Sequence, residues 1–169
     1  SRGLGDVYKR QDLEWADGVA IGSPTRFGGP ASQLKSFLDQ TGQMWMRGDL
    51  MDKVGTSFTS ASTHHGGLES SILAMNNVFY HWGCLILPLG YPDQETRRGN
   101  GNPYGASFVS RSGAAPDPDS LKAAHVQGRR LARAAEDERA ETQFWRLLGV
   151  DGIPATIEGD PNPEVVPPG

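Results

Sequence analysis

Apolar residues follow two alternating rhythms along this chain: short continuous or alternating runs, and longer stretches that repeat about every three to four positions. Gly18-Val19-Ala20-Ile21-Gly22 reads as a short strand, with residues 12–17 as the end of a helix or a turn leading into it. A helix is expected over residues 30–41. Pro30 suits its first turn, Ala31, Leu34, Phe37, Leu38 and Thr41 fall on one face, and Gly42 stops it. In residues 54–59, Val54, Thr56 and Phe58 alternate with smaller residues, as in a strand. Leu68, Ile72, Met75, Phe79 and Trp82 then keep a helical repeat that Gly83 ends. The apolar run 84–89 predicts a strand covered on both faces. Residues 90–105 show no periodicity, and residues 106–109 suit a further short strand. Asp117-Pro118-Asp119 opens a last helix, whose buried face is expected at Leu121, Ala124, Gly128, Leu131 and Ala135.

Strands alternating with helices across short connections predict a parallel, doubly wound α/β sheet. Right-handed crossovers then bring three polar loops, residues 23–29, 60–67 and 90–105, to one edge of it. In such sheets ligands bind beyond the carboxyl ends of the strands. The first of these loops offers backbone amides, a hydroxyl, a guanidinium and a ring together.

Composition narrows the class. The net charge of −4 argues against a general nucleic-acid surface, which needs a basic face. No apolar run approaches the roughly 20 residues of a membrane span, so no membrane insertion is expected. One cysteine, Cys84, excludes an internal disulfide and suits a reducing cytoplasm; its apolar neighbours make it a small buried hydrophobe. The start lacks strand or helix periodicity, and Gly3 to Gln11 resembles translated adapter sequence. Residues 1–11 are therefore set aside as a non-native leader, 12–137 as the domain, and 138–169, charged and then proline-rich, as a flexible tail.

The motifs fall in a telling order: Ser23-Pro24-Thr25-Arg26-Phe27-Gly28-Gly29, then Phe37-Leu38-Asp39-Gln40-Thr41-Gly42, Trp45, the loop 60–67, His81 two residues before Gly83, and Pro103-Tyr104-Gly105-Ala106. This series resembles the flavodoxin-like NAD(P)H:quinone oxidoreductases of the WrbA type over roughly residues 15–135. The resemblance implies a five-stranded parallel sheet, FMN at the strand ends, NADH or NADPH as reductant, a quinone substrate, and a homo-tetramer whose sites form at subunit contacts.

Carried onto this chain, the resemblance places FMN beside Pro24, Thr25, Arg26, Phe27 and Gly28. Backbone amides there would meet the ring, Arg26 would offset its charge when reduced, and Phe27 would pack on it. Ser60, Ala61, Ser62, Thr63, His64 and His65 correspond to the second flavin loop. The paired histidines depart from the family pattern, and at most one of two adjacent imidazoles reaches a common ligand. No metal is expected, because His81 and His125 lie on separate helices without a carboxylate in register. His81, read alone, suits either a proton donor to quinone or a partner of the helix dipole; Trp45 suits a cover for the flavin pocket from a neighbouring subunit, or simple packing. Both are carried as catalytic candidates.

One part of the family pattern is missing. No strand followed by a hydroxyl-rich turn precedes Gly18, so the first strand and phosphate loop of a flavodoxin-like sheet are absent from this reading. The chain by itself is expected to bind FMN weakly. Two other functions fit the same residues: a flavodoxin-type electron carrier, and a flavin-free interaction or scaffold protein.

Overall fold

The computed structural model describes residues 10–147. A short helix, α1 (Arg10–Trp15), leads into β1 (Gly18–Arg26), which turns back at once into β2 (Gly29–Pro30). Helices α2 (Ser32–Asp39) and α3 (Gly42–Met46) lead on to β3 (Val54–Ala61). Then come α4 (Leu68–Trp82), β4 (Leu85–Ile86), α5 (Gln94–Gly99), β5 (Ser107–Val109) and α6 (Pro118–Leu147). The chain divides into two compact units at residue 138. The first holds the sheet and its site; the described part of the second is the last stretch of α6.

β1 and β3 run parallel from Gly18 opposite Val54 to Pro24 opposite Ser60. β4 and β5 are also parallel to β3 and share its other edge end to end, β4 beside Val54 and Gly55 and β5 beside Thr59 to Ala61. β2 pairs antiparallel with the end of β1. The alternating and helical apolar rhythms therefore produce the parallel-dominated α/β sheet they imply.

One face of the sheet is well covered. Val19 and Ile21 point into a core with Leu38, Met44, Leu50, Ile72, Met75, Phe79 and Trp82, all buried. Phe79 and Trp82 meet edge to face, with centroids 5.9 Å apart. Phe79 lies flat on the strand: a Cβ built on Gly55 would fall 2.5 Å from its ring. Gly83, at φ +76°, closes α4 in the left-handed conformation, and Cys84 N–H donates to Phe79 O at 2.9 Å. The opposite face is covered in part. Leu89, Ala106, Ala123 and Val126 form a small core there, yet Ala20, Gly22 and Pro24 remain exposed. Beside them a cavity of about 520 Å³ opens between Gly22, Phe58 and Phe108 of the sheet and Leu121 and Ala124 of α6.

Several boundaries differ from those read in the sequence. β1 continues to Arg26, so Ser23 to Arg26 are strand, not loop. Pro30 sits in β2, α2 starts at Ser32, and Gly42 opens α3 instead of ending a helix. A hairpin turn, invisible to helical periodicity, consumed the residues assigned to the first helical turn. The run 84–89 gives only a two-residue edge strand with Leu85 half-exposed: β4 pairs with Val54 and Gly55 alone, and β5 takes the far end of that edge at Thr59 to Ala61. Residues 90–105 hold α5, capped by Asp93, whose Oδ1 accepts from Thr96 N–H at 2.6 Å. On α6 the buried stripe runs through Ala123, Val126 and Gln127, while Leu121, Ala124 and Gly128 are exposed. Small residues favour close packing, but Leu121 and Ala124 face the cavity. The helix passes residue 138, where the charged tail was expected to start. Residues 1–9 of the leader and the proline-rich 148–169 lie outside the described residues.

Candidate functional site

The carboxyl ends of β1 and β3 carry the two loops singled out by sequence. β1 ends in a two-residue turn, Phe27 at φ +50° and Gly28 at φ +79°. Turns with both central residues left-handed follow the twist of a hairpin, and at a non-glycine residue this conformation is strained. Phe27 bears that strain with its ring fully exposed. Arg26 is exposed as well, its Nη1 donating to Thr25 O at 3.0 Å.

The second loop packs directly on this turn. Gly67 has φ +96°, and a Cβ on it would lie 2.7 Å from the Cα of Gly28, so glycine is required at the contact. Thr25 completes the junction from inside. Its hydroxyl is 2.7 Å from Ser71 Oγ and donates to Gly67 O at 3.2 Å. Thr25, read as a ligand residue, thus uses its side chain to staple the hairpin to α4. Ser23 acts similarly: Ala31 N–H donates to its hydroxyl at 2.8 Å, fixing the chain's entry to α2.

Around this junction the structure gathers Pro24, Arg26, Phe27 and Gly28 with Ser60 to His65. Ala61 is buried and Ser60 half-buried; Ser62, Thr63, His64 and His65 are exposed. Gly66 N–H donates to Thr63 O at 3.1 Å, which closes the loop on itself. His64 Nε2 lies 3.3 Å from Arg111 Nη2, a guanidinium that no motif had marked.

The structure does not bring the two catalytic candidates to this edge within one chain. His81 lies in the last turn of α4, whose 15 residues place it about 20 Å from the loop end of that helix. Trp45 is half-exposed on α3. The next turn of chain ties down at the amino ends of the strands: Arg47 pairs with Glu14 ahead of β1, and Leu50 O accepts from Cys84 Sγ ahead of β4. Helical spacing within each motif was legible, but which end of a 15-residue helix faces the site is a matter of topology.

Among the described residues, the polar groups at the loop junction are mostly uncharged, with the exposed Arg26 guanidinium on one side and Arg111 beside His64 on the other. That set suits the flat, hydrogen-bonding edge of an isoalloxazine ring, and the glycine contact leaves room for close approach. It suits a phosphate poorly, since the first turns of α4 and α6 carry Glu69 and Asp119. Among the described residues no group of three or more His, Cys, Asp or Glu side chains could hold a metal. No helix is long and apolar enough to cross a membrane, again among the described residues. Burial pushes the Cys84 thiol up to about 11, with Lys53 pulling the other way, so it is protonated at neutral pH.

The open, parallel-dominated α/β sheet is a flavodoxin-like fold. The fold is shared with the flavodoxin-like, WrbA-like protein from Agrobacterium tumefaciens, at a TM-score of 0.63 and 24% identity over 76% of this chain and 71% of that one. Residues 8–92 match the NADPH-dependent FMN reductase family, and the chain belongs to it. That match begins inside the stretch set aside as a leader. The chain is 38% identical over 135 residues to an NAD(P)H dehydrogenase (quinone) of Aromatoleum aromaticum, covering 76% of this chain and 65% of the relative. To the protein of the same name from Geotalea daltonii it is 42% identical over 130 residues, covering 73% and 63%. It thus spans just under two thirds of the length of these curated relatives.

Proposed function

We propose that the protein is an FMN-dependent NAD(P)H:quinone oxidoreductase in which the Arg26–Gly28 turn and residues 60–67 form the flavin-ring side of the site. The observation that carries this is the junction itself: two glycine-bearing turns locked together, presenting backbone, one guanidinium and one strained, exposed ring. Family membership and the relatives' names support the same reading.

FMN, when bound, supplies the two-electron relay between reduced nicotinamide and quinone. The chain's own residues do the rest. Backbone amides of the Arg26–Gly28 turn orient the ring edge. Arg26 offsets negative charge, and with its guanidinium in solvent reach it can shift toward a bound anion. Phe27 covers apolar ring surface, which accounts for an otherwise unpartnered aromatic at a positive φ. Of the paired histidines, His65 is the one not engaged by Arg111 in the described contacts, and it is assigned to the ring's polar edge.

Trp45 and His81 are assigned to the same chemistry from a neighbouring subunit of a homo-tetramer. Their distance from the junction within one chain is what supports this assignment. His81 would then hold a proton for the quinone oxygen. The phosphate anchor and a strand against the open edge of β1 are assigned to a longer form of the protein. Two features support that: among the described residues no strand pairs with the other edge of Gly18 to Pro24, and Ala20, Gly22 and Pro24 lie bare beside the cavity.

NADH-driven turnover of benzoquinone with added FMN tests the enzyme reading. Sustained turnover supports it. One-electron exchange with a reductase and no turnover would instead make the protein an electron carrier.

A further inference from the structure

β3 has a broken neighbour. β4 pairs with Val54 and Gly55 and β5 with Thr59, Ser60 and Ala61; between them, Thr56, Ser57 and Phe58 face no strand residue on that edge among the described residues. The chain leaves the sheet after Leu87, whose N–H donates to Gly55 O at 2.8 Å. It returns at Ala106, whose carbonyl accepts from Thr59 N–H at 3.1 Å. Gly105 passes so close to β3 that a Cβ there would lie 2.2 Å from Ser57 O.

A side chain closes this gap. Gln127 of α6 is only 4% exposed. Its Nε2 donates to Thr56 Oγ1 and, at 2.9 Å, to Ser57 O. Its Oε1 accepts from Ala106 N–H at 2.6 Å, and Thr56 Oγ1 donates its own hydrogen bond to Leu87 O at 2.7 Å. A carboxamide carries the same donor and acceptor types as a peptide unit. Gln127 therefore stands where a rung of backbone would otherwise stand.

The contacts continue to the candidate site. Ala106 leads into β5, Ser110 N–H donates to Ala61 O at 2.8 Å, and Arg111 reaches His64. We propose that Gln127 is a positioning residue: it sets the height of Ala106 against β3, hence the seat of β5, and through Ser110 and Arg111 the conformation of residues 60–67. Its consequence for FMN affinity rests on the function proposed above; its hold on residues 60–67 rests on the contacts alone.

Gln127→Met keeps the length of the side chain but strands Ser57 O and Ala106 N–H, two buried groups whose lost partners cost enough to loosen the segment locally. Leu131→Ala is the control, because it loosens α6 over Gly18 without touching the rung. Hydrogen exchange on the full chain is the readout, with FMN titration by fluorescence quenching beside it. Gln127→Met should speed exchange about tenfold or more in residues 106–111 and 60–67, with FMN affinity reduced to a similar degree. Leu131→Ala should leave both segments within about threefold at a comparable thermal midpoint. Gln127→Glu keeps the acceptor for Ala106 N–H but sets a carboxyl oxygen against Ser57 O, and serves as second variant, with the same pattern at equal or greater amplitude. Faster exchange confined to α6, or spread evenly over β1 and α4, would overturn the proposal. So would unchanged FMN affinity in a protein that binds FMN. A wild-type chain that binds no FMN would overturn the function instead, the exchange result still deciding whether Gln127 holds residues 60–67.

Discussion

Arg26 and Phe27, proposed to meet the flavin ring, are residues that the fold itself does not need. Neither contributes to the core, and Phe27 occupies a backbone conformation that costs energy. Arg26→Gln should therefore leave the thermal midpoint unchanged and weaken FMN binding by about tenfold, as expected for loss of a charge-assisted contact. Equal affinity would remove Arg26 from the site. Thr25 teaches the converse. Its place in the motif was legible, but its hydroxyl turns inward to Ser71 and Gly67, and no sequence spacing reports which way a strand residue points near a hairpin. Cys84 makes a separate test at this scale. Because burial raises its folded pKa to about 11, the protonated thiol's stability is fully present below its unfolded value and is lost as pH rises from there through about 11. In Cys84→Ala the fall in thermal midpoint over that window should be smaller than in the wild type; an identical fall would mean that Cys84 is solvated.

The strands and helices differ in how openly they were written. α4 declared itself through five apolar positions at helical spacing and a glycine stop, all of which the structure keeps. Its packing depends on one bare position of β3. Gly55→Ala should destabilise by about 1–3 kcal/mol, since the methyl would meet the Phe79 ring in a filled core. Gly42→Ala, at the open start of α3, should stay within about 0.5 kcal/mol of wild type or above it. Denaturant midpoints of the two variants check this; equal losses would mean that α4 does not pack as described. α6 opens on Asp117, whose carboxylate accepts from Ser120 N–H and Ser120 Oγ, both at 2.8 Å. Those bonds hold its pKa below the ordinary value, so the cap's contribution is present at neutral pH and fades as pH falls through the lowered pKa. Asp117→Ala should lose about 1 kcal/mol at pH 7 and less once the pH has fallen through the lowered pKa, by the same measurement. The β1–β2 hairpin and the split partner of β3 were not legible. A two-residue turn inside Arg-Phe-Gly-Gly leaves no periodic trace, and Gln127 is a polar residue in a buried stripe whose reason appears only once the gap beside Ser57 is seen.

Among the described residues of the whole molecule, one face of the sheet is well covered and the other only in part. Among those residues no strand lies against the other edge of β1, Ala20 and Gly22 are bare, and a cavity opens beside α6; the proposal made above assigns a strand from a longer form to that surface. Such a form should be more stable than this chain and bind FMN far more tightly; equal affinity in both would mean that this chain already holds the whole flavin site. The flavin-ring side is claimed for this chain itself, and one measurement tests it most directly. FMN titrated to millimolar concentration into the isotopically labelled chain, followed by amide chemical shifts, should move Arg26, Phe27 and Gly28 together with residues 62–67. His81, about 20 Å away within one chain, should shift only when copies of the chain associate. Shifts centred elsewhere, or none at all, would contradict the assignment of the site to the two turns joined at Gly28 and Gly67.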